Sequence, residues 1–246
     1  MDIEFRNKTK TRRLVGLGFV LISLIYLAWR LTIFNPYAMG VSAAFYAAEV
    51  IGVVLAITTV LLTWTYRVDP APQAPAGLSV DVLVLCYSEP VEIIQRTLEA
   101  AANLDYPHTT WLLDDGRRPE MKALAERLSC RYLARDTNLN AKAGNINHAL
   151  THAQGEFVVV FDGDHVPLPE ALDRLLGYFA DPKVAMVQAP QDYYNTDSIQ
   201  YFNRGRRGAL WHDQSHFYHF SQPCRFTWNA VTCCGTSVAY RRSALN

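Results

Sequence analysis

Residues 157–165 (FVVVFDGDH) limit the possible folds of this chain more than any other segment. The first five are all β-branched or aromatic and leave no polar face, which is typical of a strand buried on both sides of a parallel sheet. Asp162 and Asp164 follow at once, with only Gly163 between them. Ligands of open α/β sheets bind beyond the carboxyl ends of the strands, and two carboxylates there could hold Mg²⁺. A solvated turn is the alternative.

Two further apolar segments, residues 14–34 and 41–66, are each near the roughly 20 residues that span a bilayer. A signal peptide is the alternative for the first, but its length, its lack of a small-residue cleavage site and the second segment argue against it. Basic residues precede the first segment and Arg67 follows the second, while the short connection between them carries no charge. The positive-inside rule therefore predicts a multi-pass membrane protein whose amino terminus and everything after Arg67 lie in the cytoplasm, and we expect its location to be the inner membrane.

Each apolar segment contains one ionisable residue, Arg30 in the first and Glu49 in the second. A charge inside hydrocarbon costs about 2.5–3.5 kcal/mol on insertion scales, so each side chain needs a partner or access to water. In a hairpin the two residues lie at comparable depth, and we expect them to pair. The alternative is that Arg30 extends to the outer interface and Glu49 faces another helix.

The remaining sequence divides the chain into four parts: a basic cytoplasmic amino terminus (1–13), two transmembrane helices (14–67), a Pro- and Ala-rich linker (68–79) and a cytoplasmic domain (80–246). Within the domain, apolar strands alternate with helices, which predicts an α/β fold with a mostly parallel sheet. Lys plus Arg and Asp plus Glu both number 23, so charge gives no reason to expect a nucleic-acid partner. The predicted strands are 80–87, 110–113, 131–134, 157–161 and 184–189, and the predicted helices are 91–104, 119–128, 141–153 and 169–179.

Polar side chains follow three of these strands. Glu89 comes after the first, Asp114 and Asp115 after the second, and Asp162 with Asp164 after the fourth. Carboxylates gathered at one edge repel each other unless they share a cation or a hydrogen-bonding ligand, and a nucleotide meets that need. Residues 138–147 (NLNAKAGNIN) add a lysine at a helix start, where free N–H groups favour an anion. A polar helix start with Asn caps is the alternative interpretation.

Together these motifs resemble the catalytic domain of inverting, membrane-embedded family-two glycosyltransferases of the bacterial cellulose synthase type. The likeness covers roughly residues 80–245, and it implies a GT-A-like nucleotide-binding fold preceded by a two-helix transmembrane hairpin. The matching segments are 113–116 (LDDG), 140–150 (NAKAGNINHAL), 161–167 (FDGDHVP), 188–190 (QAP) and 228–236 (WNAVTCCGT).

The resemblance also implies ligands and roles. The donor is a UDP-sugar, UDP-glucose above all, the acceptor is a growing glycan, and the cofactor is Mg²⁺ or Mn²⁺. The lipid bilayer and a periplasmic accessory subunit are the further partners. The implied catalytic and metal-binding residues are Asp162 and Asp164. The implied donor-binding residues are Tyr87, Glu89, Asp114, Asp115, Lys142, Asn145 and His165, and the acceptor-side residues are Trp228, Cys234 and Gly235.

Some positions depart from the family pattern. The first strand ends in Cys86-Tyr87-Ser88-Glu89 instead of Thr-Tyr-Asn-Glu, and Cys233-Cys234-Gly235-Thr236 replaces Phe-Cys-Gly-Ser. The family's Thr-Glu-Asp general-base motif and its Gln-x-x-Arg-Trp motif do not occur before Asn246, so we expect nucleotide binding without turnover from this segment alone. The alternatives are a non-processive enzyme with a lipid acceptor, or a catalytically incomplete nucleotide-sugar-binding fragment. Residues 197–222 are rich in aromatic and basic side chains and predict an interfacial or an ordinary amphipathic helix.

Overall fold

The computed structural model describes residues 9–194 and 213–245. The chain forms two compact units. One comprises Met1–Asp69 with Asp192–Val231, and the other comprises Pro70–Gln191 with Thr232–Asn246. The first is helical and the second is an α/β unit.

Two long helices dominate the first unit: α1 spans Thr9–Leu31 and α2 spans Met39–Leu62, joined through a 3-10 turn at Pro36–Ala38. Both are long and apolar enough to cross a membrane. Their apolar side chains are largely exposed, Leu14 by 71% and Leu55 by 63%. A helix in the core of a soluble protein would instead bury such residues. The exposed faces are those that a lipid environment would cover.

The two ionisable residues of these helices pair with each other, as the sequence predicts. Arg30 Nε donates to Glu49 Oε2 at 2.7 Å, and the Tyr26 hydroxyl donates to Glu49 Oε1 at 3.1 Å. At the other end of the hairpin, Arg12 and Arg13 both donate to the Trp64 carbonyl at 3.2 Å. Polar contacts thus join the two helices near both ends of the hairpin.

The α/β unit is built on one six-stranded sheet. The first four strands run parallel in the order β3-β2-β1-β4, and the last two continue the sheet as β6-β5. β6 pairs antiparallel with both β4 and β5. The predicted α/β class with a mostly parallel sheet is confirmed, and β6 is an element that the sequence patterns did not reveal. The strands are β1 Val80–Cys86, β2 Thr109–Asp114, β3 Arg131–Leu133, β4 Phe157–Asp162, β5 Met186–Gln188 and β6 Val238–Arg241.

Helices cover both faces of this sheet, because successive residues of each strand point to opposite sides and both sides are apolar. Leu98, Leu124 and Leu172 pack on one face, while Ile146 and Ala149 pack on the other. The helices are α3 Val91–Ala102, α4 Pro119–Arg127, α5 Ala141–Leu150 and α6 Ala171–Leu176, the last continued by a 3-10 turn at Gly177–Ala180.

Part of the predicted linker contacts this unit. Ala74 and Leu78 lie against the core. The Tyr106 hydroxyl donates to the Pro75 carbonyl at 2.5 Å and accepts from the Leu78 amide at 3.0 Å. The segment therefore serves partly as a strap across the α/β unit, which its Pro and Ala content did not indicate.

The described residues after 212 in the helical unit form two short helices, α7 Asp213–His216 and α8 Gln222–Phe226, joined by a π-helical turn at Phe217–Ser221. They pack on the hairpin: the Phe220 ring stacks on Tyr66, with centroids 6.3 Å apart. The helix predicted for residues 197–222 lies mostly outside the described residues.

Candidate active site

A cleft of about 580 Å³ opens at the carboxyl ends of β1, β2 and β4. This is the edge of the sheet at which the sequence places its carboxylates. Most of the predicted donor-binding and metal-binding side chains line it together. They are Tyr87, Glu89, Asp115, Lys142, Asn145, Asp162 and Asp164.

The end of β4 supplies two accessible carboxylates. The side chain of Asp162 is 34% exposed and that of Asp164 is 66% exposed. Lys142 Nζ donates to Asp162 Oδ1 at 2.5 Å, and His165 Nδ1 lies 2.9 Å from Asp164 Oδ1. The Lys142 ammonium thus meets the carboxylates of this strand end at the surface of the cleft, where a ligand can reach both.

Gly163 allows the turn between these carboxylates to lie tightly against the sheet. A Cβ atom at this position would be 2.8 Å from the Leu85 carbonyl and would overlap the δ1 methyl of Ile94. Any side chain would therefore push the turn away from β1. The glycine is required by close packing, and its effect is to set the spacing of Asp162 and Asp164.

These two carboxylates fit a shared divalent cation. Mg²⁺ is usually bound through one or two carboxylates, with waters and substrate phosphates as the remaining ligands. No group of three or more His, Cys, Asp or Glu residues suited to a metal ion occurs among the described residues. Two carboxylates leave most coordination positions of such a cation to waters or to a phosphate-bearing ligand.

The end of β2 carries two adjacent carboxylates in different environments. Asp114 is completely buried and accepts hydrogen bonds from the Gly116 amide (2.9 Å), the Arg118 amide (2.6 Å) and the Tyr132 hydroxyl (3.0 Å). Asp114 was predicted to bind the donor, but its side chain is committed to this turn and does not line the cleft. Burial, and then the Asp114 carboxylate, raise the pKa of Tyr132, so this phenol remains a donor.

Asp115 lines the cleft and is held by a residue that the sequence motifs did not single out. Arg135 donates to both of its carboxylate oxygens, Nε to Oδ1 at 2.6 Å and Nη2 to Oδ2 at 2.8 Å. The strand register contains a signal for this contact. Leu113 pairs with Leu133 in parallel strands, so Asp115 and Arg135 each lie two residues beyond this pair. Recognising that signal requires knowing that β2 and β3 are neighbours.

The start of α5 has an unusual backbone. Asn140 and Ala141 have φ of 60° and 43°, in the left-handed region that L residues rarely adopt. Strain of this kind persists where the surroundings hold it in place. Gly144 contributes, because a Cβ atom there would collide with the Leu139 carbonyl and with Arg135 Nη1. This local structure places Lys142 at the cleft.

The remaining predicted residues lie in three places. His165 is near the rim, with Nε2 3.3 Å from Gln191 Oε1, and is not among the side chains that line the cleft. The Cys234 amide donates to Gln188 Oε1 at 2.9 Å, and a Cβ atom at Gly235 would lie 3.7 Å from Lys142 Nζ. Trp228 is 53% exposed and belongs to the helical unit.

Two more residues support the cleft. The Thr236 hydroxyl accepts from the Asp162 amide at 2.8 Å, so the loop before β6 fixes the end of β4. Cys86 lines the cleft at the end of β1, and burial raises the pKa of its thiol, which keeps it protonated and unreactive.

The family model for glycosyl transferase family 2 matches residues 81–246, about two thirds of the chain. The chain belongs to glycosyl transferase family 2. The matched range contains the whole sheet except its first residue, and every residue that lines the cleft. The GT-A-like α/β fold expected of the family-two domain agrees with the architecture described above.

Curated relatives are bacterial cellulose synthases. The chain is 34% identical over 254 residues to the cellulose synthase catalytic subunit (UDP-forming) of Pseudomonas fluorescens, covering 95% of this chain and 34% of the relative. It is 35% identical over 239 residues to cellulose synthase 2 of Novacetimonas hansenii, covering 92% and 15%. The chain thus spans about a third or less of the length of these relatives.

Among solved structures, the chain is similar to the mannosyltransferase PcManGT from Pyrobaculum calidifontis in complex with GDP-Man and Mn²⁺. The TM-score is 0.44 at 27% identity, covering 64% of this chain and 48% of that one.

Proposed function

We propose that this chain is the donor-binding part of an inverting, processive glycosyltransferase that uses a UDP-sugar, UDP-glucose above all, to extend a β-linked polysaccharide such as cellulose. The observation that carries the proposal is the convergence of Asp162, Asp164 and Lys142 on one cleft at the carboxyl edge of the sheet. The identity with cellulose synthases, one of them named as UDP-forming, supports the choice of donor and product.

The nucleoside would bind on the β1 and β2 side of the cleft. The Tyr87 ring is 58% exposed and offers a face on which a base can stack. Glu89 and Asp115 supply carboxylates that can accept hydrogen bonds from base or ribose donors. The Tyr87 amide donates to Glu89 Oε2 at 2.7 Å, which fixes the turn that presents both residues.

The diphosphate would bind between α5 and the end of β4. Lys142 can transfer its hydrogen bond from Asp162 to a phosphate oxygen, because its ammonium already lies in the cleft. Asp162 and Asp164 would hold a Mg²⁺ or Mn²⁺ ion, which when bound neutralises charge on the departing diphosphate. Asn145 is 2% exposed and donates to the Leu113 carbonyl at 3.4 Å, so it ties α5 to β2.

The acceptor glycan would approach over the loop that contains Cys234 and Gly235. Lys142 is close to the Gly235 position, so an acceptor there would be next to the leaving group. Trp228, with an exposed indole, can pack on the apolar face of a sugar ring. An acceptor hydroxyl attacking the anomeric carbon from the side opposite to the diphosphate gives inversion.

The two apolar helices would anchor the protein in the inner membrane, with the α/β unit in the cytoplasm. The exposed apolar side chains of α1 and α2 support this location, and Lys10, Arg12 and Arg13 precede the first apolar segment on the side that the positive-inside rule makes cytoplasmic. A periplasmic accessory subunit would then meet the product on the opposite side.

The test is calorimetric titration of UDP into the full chain in detergent, with MgCl₂ or with EDTA. We expect binding in Mg²⁺ that weakens at least about 100-fold in EDTA, because the diphosphate then loses the cation that it shares with the carboxylates. Where this chain stands within a protein as long as the matched cellulose synthases, membranes containing that protein should incorporate label from UDP-[¹⁴C]glucose into polymer in preference to other UDP-sugars. Equal UDP affinity in MgCl₂ and EDTA would contradict the proposal.

A further inference from the structure

Arg135 lies beside the cleft and has no role in the function proposed above. Its guanidinium binds the Asp115 carboxylate through two parallel hydrogen bonds of 2.6 and 2.8 Å. The two side chains are 8% and 10% exposed, so water competes little with the pair. Hydrogen bonding to Asp115 raises the pKa of Arg135, which stays charged. Bidentate pairs of this kind are among the strongest and most directional in proteins.

The same guanidinium also holds the backbone that carries Lys142. Nη1 donates to the Leu139 carbonyl at 2.6 Å and Nη2 donates to the Ala141 carbonyl at 2.7 Å. These bonds span the left-handed residues at the start of α5, and Gly144 leaves room for the guanidinium. Arg135 therefore joins Asp115, on the side of the cleft proposed for the base, to the start of α5, on the side proposed for the diphosphate.

The pairing has a chemical consequence for base recognition. The two bonds from Arg135 fix the plane of the Asp115 carboxylate, and a carboxylate accepts hydrogen bonds but cannot donate one. Uracil presents an N–H at ring position 3, whereas cytosine presents an unprotonated nitrogen there. Asp115 can accept a hydrogen bond from the uracil N–H. With cytosine, the carboxylate would face another acceptor and form no hydrogen bond. Sites built around such a hydrogen bond reject ligands that cannot make it.

We propose that Arg135 is a positioning residue that fixes Asp115 as a hydrogen-bond acceptor and thereby makes the cleft select uracil over cytosine nucleotides. This inference rests on the proposed function, since it assumes that the nucleoside binds on the Asp115 side. It adds the origin of the base preference, which the cleft alone does not explain.

The experiment compares UDP with CDP, both in MgCl₂, by calorimetric titration of the full chain in detergent. The variants are Arg135→Lys, Arg135→Met and Asp115→Asn, with Arg127→Met as the control. Arg127 is an exposed arginine on α4, so its replacement removes the same charge away from the cleft. The measured quantity is the ratio of the UDP and CDP association constants, because a general loss of structure weakens both nucleotides alike.

We expect the wild type and Arg127→Met to share one ratio in favour of UDP. Arg135→Lys should reduce that ratio at least about 10-fold, because an ammonium cannot form the two parallel bonds. Asp115→Asn should reduce it further, since its amide can rotate to donate to cytosine. Asp115→Asn nearly preserves the shape of the side chain. The ratio of the UDP and CDP association constants can therefore still be measured in this variant if Arg135→Met fails to fold.

The outcomes distinguish a failure of the proposed function from a failure of the role proposed for Arg135. If the wild type does not bind UDP, the proposed function is wrong. If the wild type prefers UDP and Asp115→Asn loses the preference while both Arg135 variants keep it, the function stands and the role of Arg135 is wrong. A preference retained in all three variants contradicts the inference as a whole.

Discussion

The ends of β2 and β4 both carry acidic residues at the same edge of the sheet, yet their surroundings differ. At β2, Asp114 is completely buried and Asp115 is enclosed by Arg135. At β4, Asp162 and Asp164 are 34% and 66% exposed, with Lys142 and His165 as accessible partners. The first pair has its charge satisfied inside the protein. The second has partners that a ligand can replace.

This difference separates two tasks that the sequence motifs do not distinguish. A fully satisfied carboxylate stabilises a turn or presents a fixed hydrogen-bond acceptor. An exposed carboxylate can exchange its partner for a cation at small cost, because water already shares in its solvation. We therefore expect substitutions at the β2 end to affect folding or base preference, and substitutions at the β4 end to affect metal-dependent binding.

The largest expected effect follows from Asp114→Ala. Removing this carboxylate leaves the Gly116 and Arg118 amides and the Tyr132 hydroxyl without their acceptor in a buried site. Loss of one partner from a buried charged network costs about 3–5 kcal/mol. Hydrogen exchange of the β2 amides in the full chain should show the α/β unit destabilised by that amount.

The matched control for this prediction is Asp164→Ala, which removes the same group from the exposed end of β4. Its effect on the same amides should stay within about 0.5 kcal/mol, as is usual for surface positions. Equal destabilisation by the two substitutions would contradict the proposed difference between the β2 and β4 strand ends.

A second effect is expected for Asp164→Asn on UDP binding. Substitutions that only orient metal ligands already cost about 10–100-fold in metal affinity, so loss of a direct ligand should weaken UDP binding in MgCl₂ at least about 100-fold. Affinity in EDTA should not change, and Asp105→Asn, at an exposed position before β2, should behave as wild type in both buffers. Wild-type affinity of Asp164→Asn in MgCl₂ would remove this residue from the metal site.

The smallest effect is expected for Gly163→Ala, which tests the spacing of the β4 carboxylates. The added methyl would press on the Leu85 carbonyl and on Ile94. Overpacking of this kind costs about 1–3 kcal/mol. Hydrogen exchange of the β4 amides measures it, and Gly52→Ala, where a Cβ atom meets nothing within 4 Å, should leave them unchanged. Unchanged exchange in both variants would show that the turn has room to move.

Sequence patterns were most successful where local chemistry decides the structure. The apolar run that became β4 Phe157–Asp162 has only one stable location, inside a covered sheet, and its two carboxylates must then follow at the carboxyl edge. The pairing of Arg30 with Glu49 was predictable for a similar reason, since a short connection leaves two charges at equal depth. Each prediction needed only a few neighbouring residues and the preference of charge for polar surroundings.

Tertiary structure decided what depends on neighbours distant in sequence. Nothing local distinguishes Asp114 from Asp115, because alternate residues of a strand face opposite sides and only the packed helices define which side is the cleft. The role of Arg135 depends on β3 lying beside β2, and the place of β6 depends on pairing that crosses many residues of chain. The sequence by itself thus determined the elements and the kinds of charge at the edge of the sheet. Their partners were fixed only when folding brought separate strand ends together, because hydrogen bonds and ion pairs act over a few ångströms and not along the chain.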